Sequence, residues 1–406
     1  MNQPEIAVPD LGDHSLGTHK LPVGHYVSPE FYEREKEQIF RRCWLLAGRA
    51  DDLREPGDYF VFDVTPLEAS VIVIRGKDGQ LRAFHNACTH RGARLLNGAT
   101  GCARAIACDF HGWVFDTTGE LVDVPGEELF EDFDRRTESL RPVKLDIWGG
   151  FVFINLDPQP QWSLRDYMAP LDDNFDRYLG GQPWRWSFGW KASFRANWKL
   201  LVDAQIEGYH VDQTHRKTIA GAVTGRGAPA FLFPGSVGVP GGVGAYFVPG
   251  EDGVQTEVNL ISAKYGATSV YTKPEKTFQA ENTGGAIKDD HPLWIFDNYL
   301  FFPNIVIFIQ KGQVIVQRTL PVSVDETHWE VDFYHTAGAE NFGQAFNFEQ
   351  GRIQIRDVLS EDLLTAQGIH SNFKAGAIES INVNSQEMPI RAFYNQIMAL
   401  VGEEPK

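Results

Sequence analysis

Two short runs carry the first recognisable chemistry. The chain reads Cys88-Thr89-His90-Arg91-Gly92 and then Cys108-Asp109-Phe110-His111-Gly112-Trp113, with seventeen residues between His90 and Cys108. Two soft thiolates and two imidazoles could hold one tetrahedral zinc. They could also hold a two-iron, two-sulfur cluster, with the cysteines on one iron and the histidines on the other. Residue order separates the two readings. Common zinc fingers place both cysteines before both histidines, whereas each run here has one of each, as two arms clamping a two-iron unit require. Neutral imidazoles in place of two thiolates remove negative charge and raise the cluster's potential, so it can accept electrons from a lower-potential donor. Cys43 and Cys102 have no partner spacing and read as ordinary residues.

A second set comprises Asp203, Glu207, His210 and His215. On a helix turning about 100° per residue, the first three share an arc of roughly 60°. Trp198, Leu201, Ile206 and Tyr209 add apolar bulk, so the expectation is a buried helix whose ionisable groups need partners or a metal. His210 and His215 are separated by about 140° on a straight helix. The helix must therefore unwind after His210 if both are to bind one ion. A carboxylate comes from the stretch 352–367. There Ile355, Val358, Leu359, Leu363 and Ala366 form an apolar stripe with Asp362 inside it. A carboxylate on a buried face is costly unless it is ion-paired or metal-bound. A salt bridge to a buried arginine is the ordinary alternative, and Glu361, turned about 100° toward the polar side, is the weaker ligand. Two imidazoles and one carboxylate on one face of Fe(II) leave the other face open for O₂ and substrate.

The elements that position these groups follow from composition and pattern. With 406 residues the chain predicts two domains. Its 37 basic and 54 acidic residues give a net charge of −17, which argues against non-specific nucleic-acid binding. No apolar run approaches the roughly 18 residues of a membrane span. The first residues lack the basic start and apolar stretch of a signal peptide. Four cysteines in so long a chain exclude a disulfide scaffold. The expectation is cytoplasmic, with no nucleic-acid or membrane partner.

Residues 1–27 read as an extended arm. Ser28-Pro29 starts a helix that runs to about Cys43, because serine can cap free amides and proline fits the first turn. Segment 1–45 is then an arm and helix packing on the catalytic domain. Residues 46–156 read as a small β domain, with strands at 59–64, 70–75, 81–84, 113–115 and 150–156 and a hairpin turn at 76–79. Residues 157–406 mix helices at 198–212 and 352–367 with strands near 245–248, 254–260, 305–309, 313–320 and 328–335. The glycine-rich stretch 235–250 reads as loop. Phe231, Phe233, Phe247, Trp294, Phe296, Phe301, Phe302 and Phe308 suit either an apolar pocket or the core. Ala204, Val211 and Phe302 are the candidate pocket residues.

The first motif resembles a Rieske iron–sulfur motif, including the Arg91-Gly92 and Gly112-Trp113 that follow its halves. Together the two constellations resemble the α subunit of a Rieske non-haem iron ring-hydroxylating oxygenase over nearly the whole chain. The block Glu207-x-x-His210-x4-His215, preceded by Asn197-Trp198-Lys199, and the later Glu361-Asp362 carry that likeness. It implies an α+β fold: an N-terminal all-β Rieske [2Fe-2S] domain, then a helix-grip catalytic domain with an antiparallel sheet on a long helix. It implies one cluster on Cys88, His90, Cys108 and His111, and one mononuclear Fe(II) on His210, His215 and Asp362. Glu207 becomes the carboxylate that links His210 to His111 of a neighbouring subunit. That contact implies a head-to-tail ring of three, possibly with β subunits (α3 or α3β3). Asp203 departs from the asparagine often found at its position, placing a second acid near the iron as a candidate catalytic residue that could alter hydration or proton supply there.

The implied activity is that of a terminal oxygenase. It takes electrons from NAD(P)H indirectly, through a ferredoxin or flavin reductase, and uses O₂ to mono- or dihydroxylate an aromatic or hydrophobic small molecule, as in aromatic hydrocarbon catabolism. Oxidative N- or O-dealkylation, or oxidation of a quaternary ammonium compound in an aromatic cage, would use the same iron. Two other classes differ in metal content. A Rieske electron carrier would have only the cluster and would leave the chain beyond 156 and the buried Asp362 without purpose. A zinc-stabilised binding module would have no iron and no colour.

Overall fold

A computed structural model describes residues 16–169, 179, 184–219, 230–233, 242–247, 296–310, 313–336, 338–384 and 387–402. The chain divides into two compact units: Lys36–Arg165, and the chain before Lys36 together with the chain after Arg165. Sequence reading put the divisions at 45/46 and 156/157. Local stitching moves them outward. Trp44 Nε1 donates to Trp162 O at 2.9 Å, and Asn155 Nδ2 donates to Arg42 O at 2.8 Å, tying both flanks to the β unit.

The β unit's larger sheet runs in the order Leu45–Arg49, Phe151–Asn155, Pro142–Trp148, Leu81–His85, Ala69–Arg75, Asp58–Val64, Thr100–Cys102. Its neighbours are antiparallel throughout. Val71, Ile72, Val73 and Ile74 are all buried, so this strand is covered on both faces. Each such side chain contributes about 1.5–3 kcal/mol by leaving water. The 76–79 hairpin is present, with Gly79 at φ +78°. A small second sheet joins Ile106–Ala107, Val114–Phe115 and Leu121–Asp123. Ile72, Phe84, Leu95, Ile106 and Phe115 pack with Cys88 and Cys108 in one core.

The other unit is built on an antiparallel sheet ordered Arg185–Phe194, Glu326–His335, Gln313–Ser323, Ile305–Gln310, Phe296–Phe301, Gly242–Phe247, Ala230–Phe233. The strand Gly242–Phe247 overlaps the one expected near 245–248 and begins earlier, inside the stretch expected to be loop. Pairing with a strand on each side supplies the ladder that its glycine content argues against. The strand expected at 254–260, Trp294 and the first fifteen residues of the arm lie outside the described residues.

The helix expected at 352–367 runs from Phe342 to Lys374. The Asn341 side chain caps it, accepting from Gln344 N at 3.0 Å, and Gly376 at φ +70° follows its end. Interior Gly351 and Gly368 each cost about 1 kcal/mol relative to alanine. The buried stripe of Ile355, Leu359, Asp362, Leu363, Ala366, His370 and Phe373 carries the helix past both. At the other end of the chain, Leu21–Pro22 pairs with Ser380–Ile381 and Gly24–Val27 forms a helical turn, so the arm is only partly extended. Ser28 Oγ accepts from Phe31 N at 3.0 Å and caps helix Pro29–Glu35, which passes into a π-helical turn at Lys36–Phe40. No described helix is long and apolar enough to cross a membrane.

Candidate functional site

Two matched turns present Cys88, His90, Cys108 and His111. Gly92 N donates to Cys88 O at 2.8 Å, and Gly112 N donates to Cys108 O at 3.0 Å. Both glycines take positive φ, +76° and +74°, a conformation that side chains disfavour. The thiols are buried, while His90 is half-buried and His111 exposed. The imidazole rings meet edge to face at 4.6 Å, and His90 stacks on Trp113 at 4.8 Å. Burial pushes the Cys88 thiol up, against hydrogen bonds from the His90 and Arg91 backbones that favour the thiolate. Iron in the pocket would supply the missing positive charge, and such N–H groups tune a cluster's potential. The arrangement puts the thiolate end in the core and the imidazole end at the surface.

The second centre departs from the expected straight helix over 198–212. The chain forms Trp198–Asp203, then turns, then a short helix Val211–Thr214. In the turn, Glu207 Oε2 accepts from the amides of Tyr209 and His210, and Asn298 Nδ2 donates to Gln205 O. These bonds replace the helical ladder. Asp203, Glu207 and His210 therefore share no helical face, and Tyr209 is exposed. Unwinding comes before His210 rather than after it, so His210 and His215 flank one short helix.

This brings three donor atoms together. His210 Nε2 and His215 Nε2 are 3.2 Å apart, and Asp362 Oδ1 lies 3.2 and 3.1 Å from them. Each imidazole gives its other nitrogen to a carboxylate: His210 Nδ1 to Glu207 Oε1, and His215 Nδ1 to Glu361 Oε2 at 2.9 Å. That orients both Nε2 lone pairs inward. Asp362 Oδ1 has no other hydrogen-bond partner, and no arginine reaches Asp362 among the described ion pairs. Three electron-rich atoms facing one another fit a single cation. Burial alone would lower the His210 imidazole, but Asp362 and Glu207 hold it up at about 10. The point favours positive charge, whether a proton or a metal ion. Glu361, weighed above as a ligand, instead accepts from His215 and from Thr218 Oγ1 at 2.8 Å.

A cavity of about 420 Å³, open mouth included, is lined by Ala204, Gln205, Val211, Ile219, Asn298 and Phe308, with Val358, Leu359 and the ligands at its base. Ala204 and Val211 are thus in its wall. Phe302 is not: it packs against Phe393 at 5.9 Å, and its carbonyl accepts from Tyr167 Oη at 2.7 Å. No lysine or arginine is among the described lining residues.

Asp203 sits behind this wall, buried, with Oδ2 accepting from Tyr26 Oη at 2.5 Å. One turn earlier, Lys199 Nζ pairs with Glu35 Oε1 at 2.5 Å, also buried. Burial raises the Asp203 carboxyl from 3.8 to about 7, with Glu207 and Glu387 adding to the rise against Tyr26 and Lys199. Between those two values the folded chain holds a proton that the unfolded chain has released, so stability falls as pH rises and levels off above about 7. Asp203→Asn keeps an acceptor for Tyr26 and removes the penalty. It should stabilise the protein at pH 8 by on the order of 2–4 kcal/mol, and by little at pH 4. Urea midpoints at the two pH values test this, and a gain equal at both would mean Asp203 titrates normally.

Two family models match the chain: the Rieske [2Fe-2S] domain over residues 43–134 and the catalytic domain of the ring hydroxylating α subunit over residues 175–403. With two imidazoles and a carboxylate converging in the second region and paired Cys/His turns in the first, the chain belongs to the Rieske-type ring-hydroxylating α subunits. Among individual proteins it is similar to the carnitine monooxygenase oxygenase subunit of Acinetobacter baumannii, 32% identical over 48% of this chain and 52% of the relative. It is likewise similar to the glycine betaine monooxygenase oxygenase subunit of Chromohalobacter salexigens, 32% identical over 52% and 46%. These matches span about half the length of those relatives. A solved structure of the quaternary ammonium Rieske monooxygenase CntA with L-carnitine shares the fold, with a TM-score of 0.69 and 23% identity over 94% of each chain.

Proposed function

We propose that this chain is the terminal oxygenase of a multicomponent Rieske monooxygenase acting on a quaternary ammonium compound such as carnitine or glycine betaine. The observation that carries the oxygenase reading is the 3.1–3.2 Å triangle of two Nε2 atoms and Asp362 Oδ1 at the base of a cavity. The relatives favour the quaternary ammonium reading over the hydroxylation of an aromatic, which the sequence put first. The cavity supports the same choice. Apolar Val211, Ile219, Phe308 and Leu359 suit N-methyl groups, and Glu207 supplies negative charge for the ammonium centre.

When bound, the cluster on Cys88, His90, Cys108 and His111 would supply stored electrons, and iron on His210, His215 and Asp362 would supply O₂ chemistry. The chain's own groups do the rest. Glu207 and Glu361 orient the two imidazoles, and the apolar wall excludes water from the reacting carbon. A ferredoxin or flavin reductase drawing on NAD(P)H delivers the electrons. Glu207 bridges to His111 of a neighbouring copy in an α3 ring, the arrangement a head-to-tail contact must close.

The test is a substrate panel with a surrogate reductase, scored by product mass. Carnitine, γ-butyrobetaine and glycine betaine should gain one oxygen, lose an alkyl group as its aldehyde, or release an amine. Turnover of naphthalene alone, with two oxygens gained, would restore the aromatic reading. Zinc in place of iron would remove both.

A further inference from the structure

We infer that the first turn of the last helix, Met388–Val401, is a binding site for a small oxyanion, with Arg391 as its anchor. The site lies outside the cavity lining and stands whether or not the metal reading holds. Arg391 is the only charged residue in that helix, and every residue from Met388 to Tyr394 is buried. Among the described residues, three lysines or arginines are buried. Two of them are paired: Arg49 with Asp51 at 2.6 Å, and Lys199 with Glu35 at 2.5 Å. Arg391 is 4% exposed, forms no ion pair among the described residues, and its Nη1 has no hydrogen-bond partner.

A guanidinium keeps its charge inside a protein. In an apolar setting that charge is costly unless an opposite one meets it. Burial pulls the Arg391 guanidinium below its ordinary range, and no carboxylate opposes the pull. The nearest acid along the chain, Glu387, stands one turn earlier. Its Oε2 accepts from Asn384 N at 2.9 Å and forms no ion pair with Arg391. The helix adds positive charge of its own. Its opening amides carry the positive end of the dipole, Glu387 gives them no side-chain cap, and side chains of a helix lean toward its N-terminus. Fork and amides therefore favour one kind of partner: two oxygens sharing a negative charge, as in a carboxylate or a phosphate. The oxyanion can come from a free inorganic or organic anion, or from the carboxylate of a zwitterionic quaternary ammonium compound.

The test is the melting temperature of the full chain, with chloride at matched ionic strength as reference. The probes are inorganic phosphate, acetate and glycine betaine, with choline as the quaternary ammonium compound that lacks a carboxylate. Arg391→Met keeps most of the side chain's bulk without its charge. Phosphate or acetate should raise the parent's melting temperature by about 2–4 °C for each tenfold increase once the site is filled. The Met variant should not respond. A rise with glycine betaine alone, absent with choline and absent in the Met variant, would support the site and assign it to the zwitterion's carboxylate. Equal rises in parent and variant, or no rise with any of the three anions, would overturn the inference, and Arg391 would then be hydrated by water alone. If the Met variant does not fold, Arg391→Lys is titrated in its place. It keeps the charge but loses the fork, and should need about 10–100-fold more anion; an unchanged titration would count against the site.

Discussion

Asp362→Ala should purify as a coloured protein that has lost its mononuclear iron, with iron content falling from about three to about two per chain. The residue lies in the buried stripe of the long helix and supplies the single oxygen facing both histidines. Alanine leaves two inward-facing imidazoles with no charge to hold a cation. Changes to groups that merely orient ligands cost about 10–100-fold in metal affinity or activity. Loss of a ligand should exceed the upper end of that range, so product formation falls by more than about 100-fold. Visible absorption of the cluster should persist, because Cys88 and Cys108 belong to the other unit. Unchanged iron content would reassign the third ligand, with Glu361 the next carboxylate to examine.

Glu207→Gln should separate holding the metal from feeding it. The parent carboxylate accepts from His210 Nδ1 through one oxygen and from two backbone amides through the other. Glutamine keeps an acceptor for His210 Nδ1 but removes the charge. Both centres should remain loaded, while oxidation of the reduced cluster in a single turnover slows by about 10–100-fold. Stopped-flow absorbance of the cluster reads this without a product assay. Full-speed oxidation in the variant would dismiss Glu207 as the link between centres.

What could be read from the sequence depended on how far apart the partners lie. The four candidate cluster residues form two local pairs, each followed by a glycine at positive φ in its turn, so spacing alone was enough to point to them. Asp362 was visible because a carboxylate broke an apolar helical stripe. The helix over 198–212 was misread because its interruption depends on Asn298, far along the chain, and on Glu207 folding back onto its own amides. Gln205, whose Nε2 donates to Asp362 Oδ2 at 3.1 Å, carried no signal, since that contact spans 157 positions. Tyr26, Lys199 and Glu35 were hidden for the same reason: their buried contacts join the first turns of the chain to Asp203 and its helix. Phe302 looked like pocket because aromatics crowd that stretch, but composition cannot say that it falls in the turn after the strand Phe296–Phe301 and packs on Phe393 instead.

The ligand geography has a further consequence. His210 and His215 stand at the two ends of one brief helix, and Asp362 rides on a different, much longer one. An ion between them acts as a tether joining segments that share no backbone ladder. Its binding free energy is therefore partly local folding energy, and starving the protein of iron would slacken the scaffold as well as silence it.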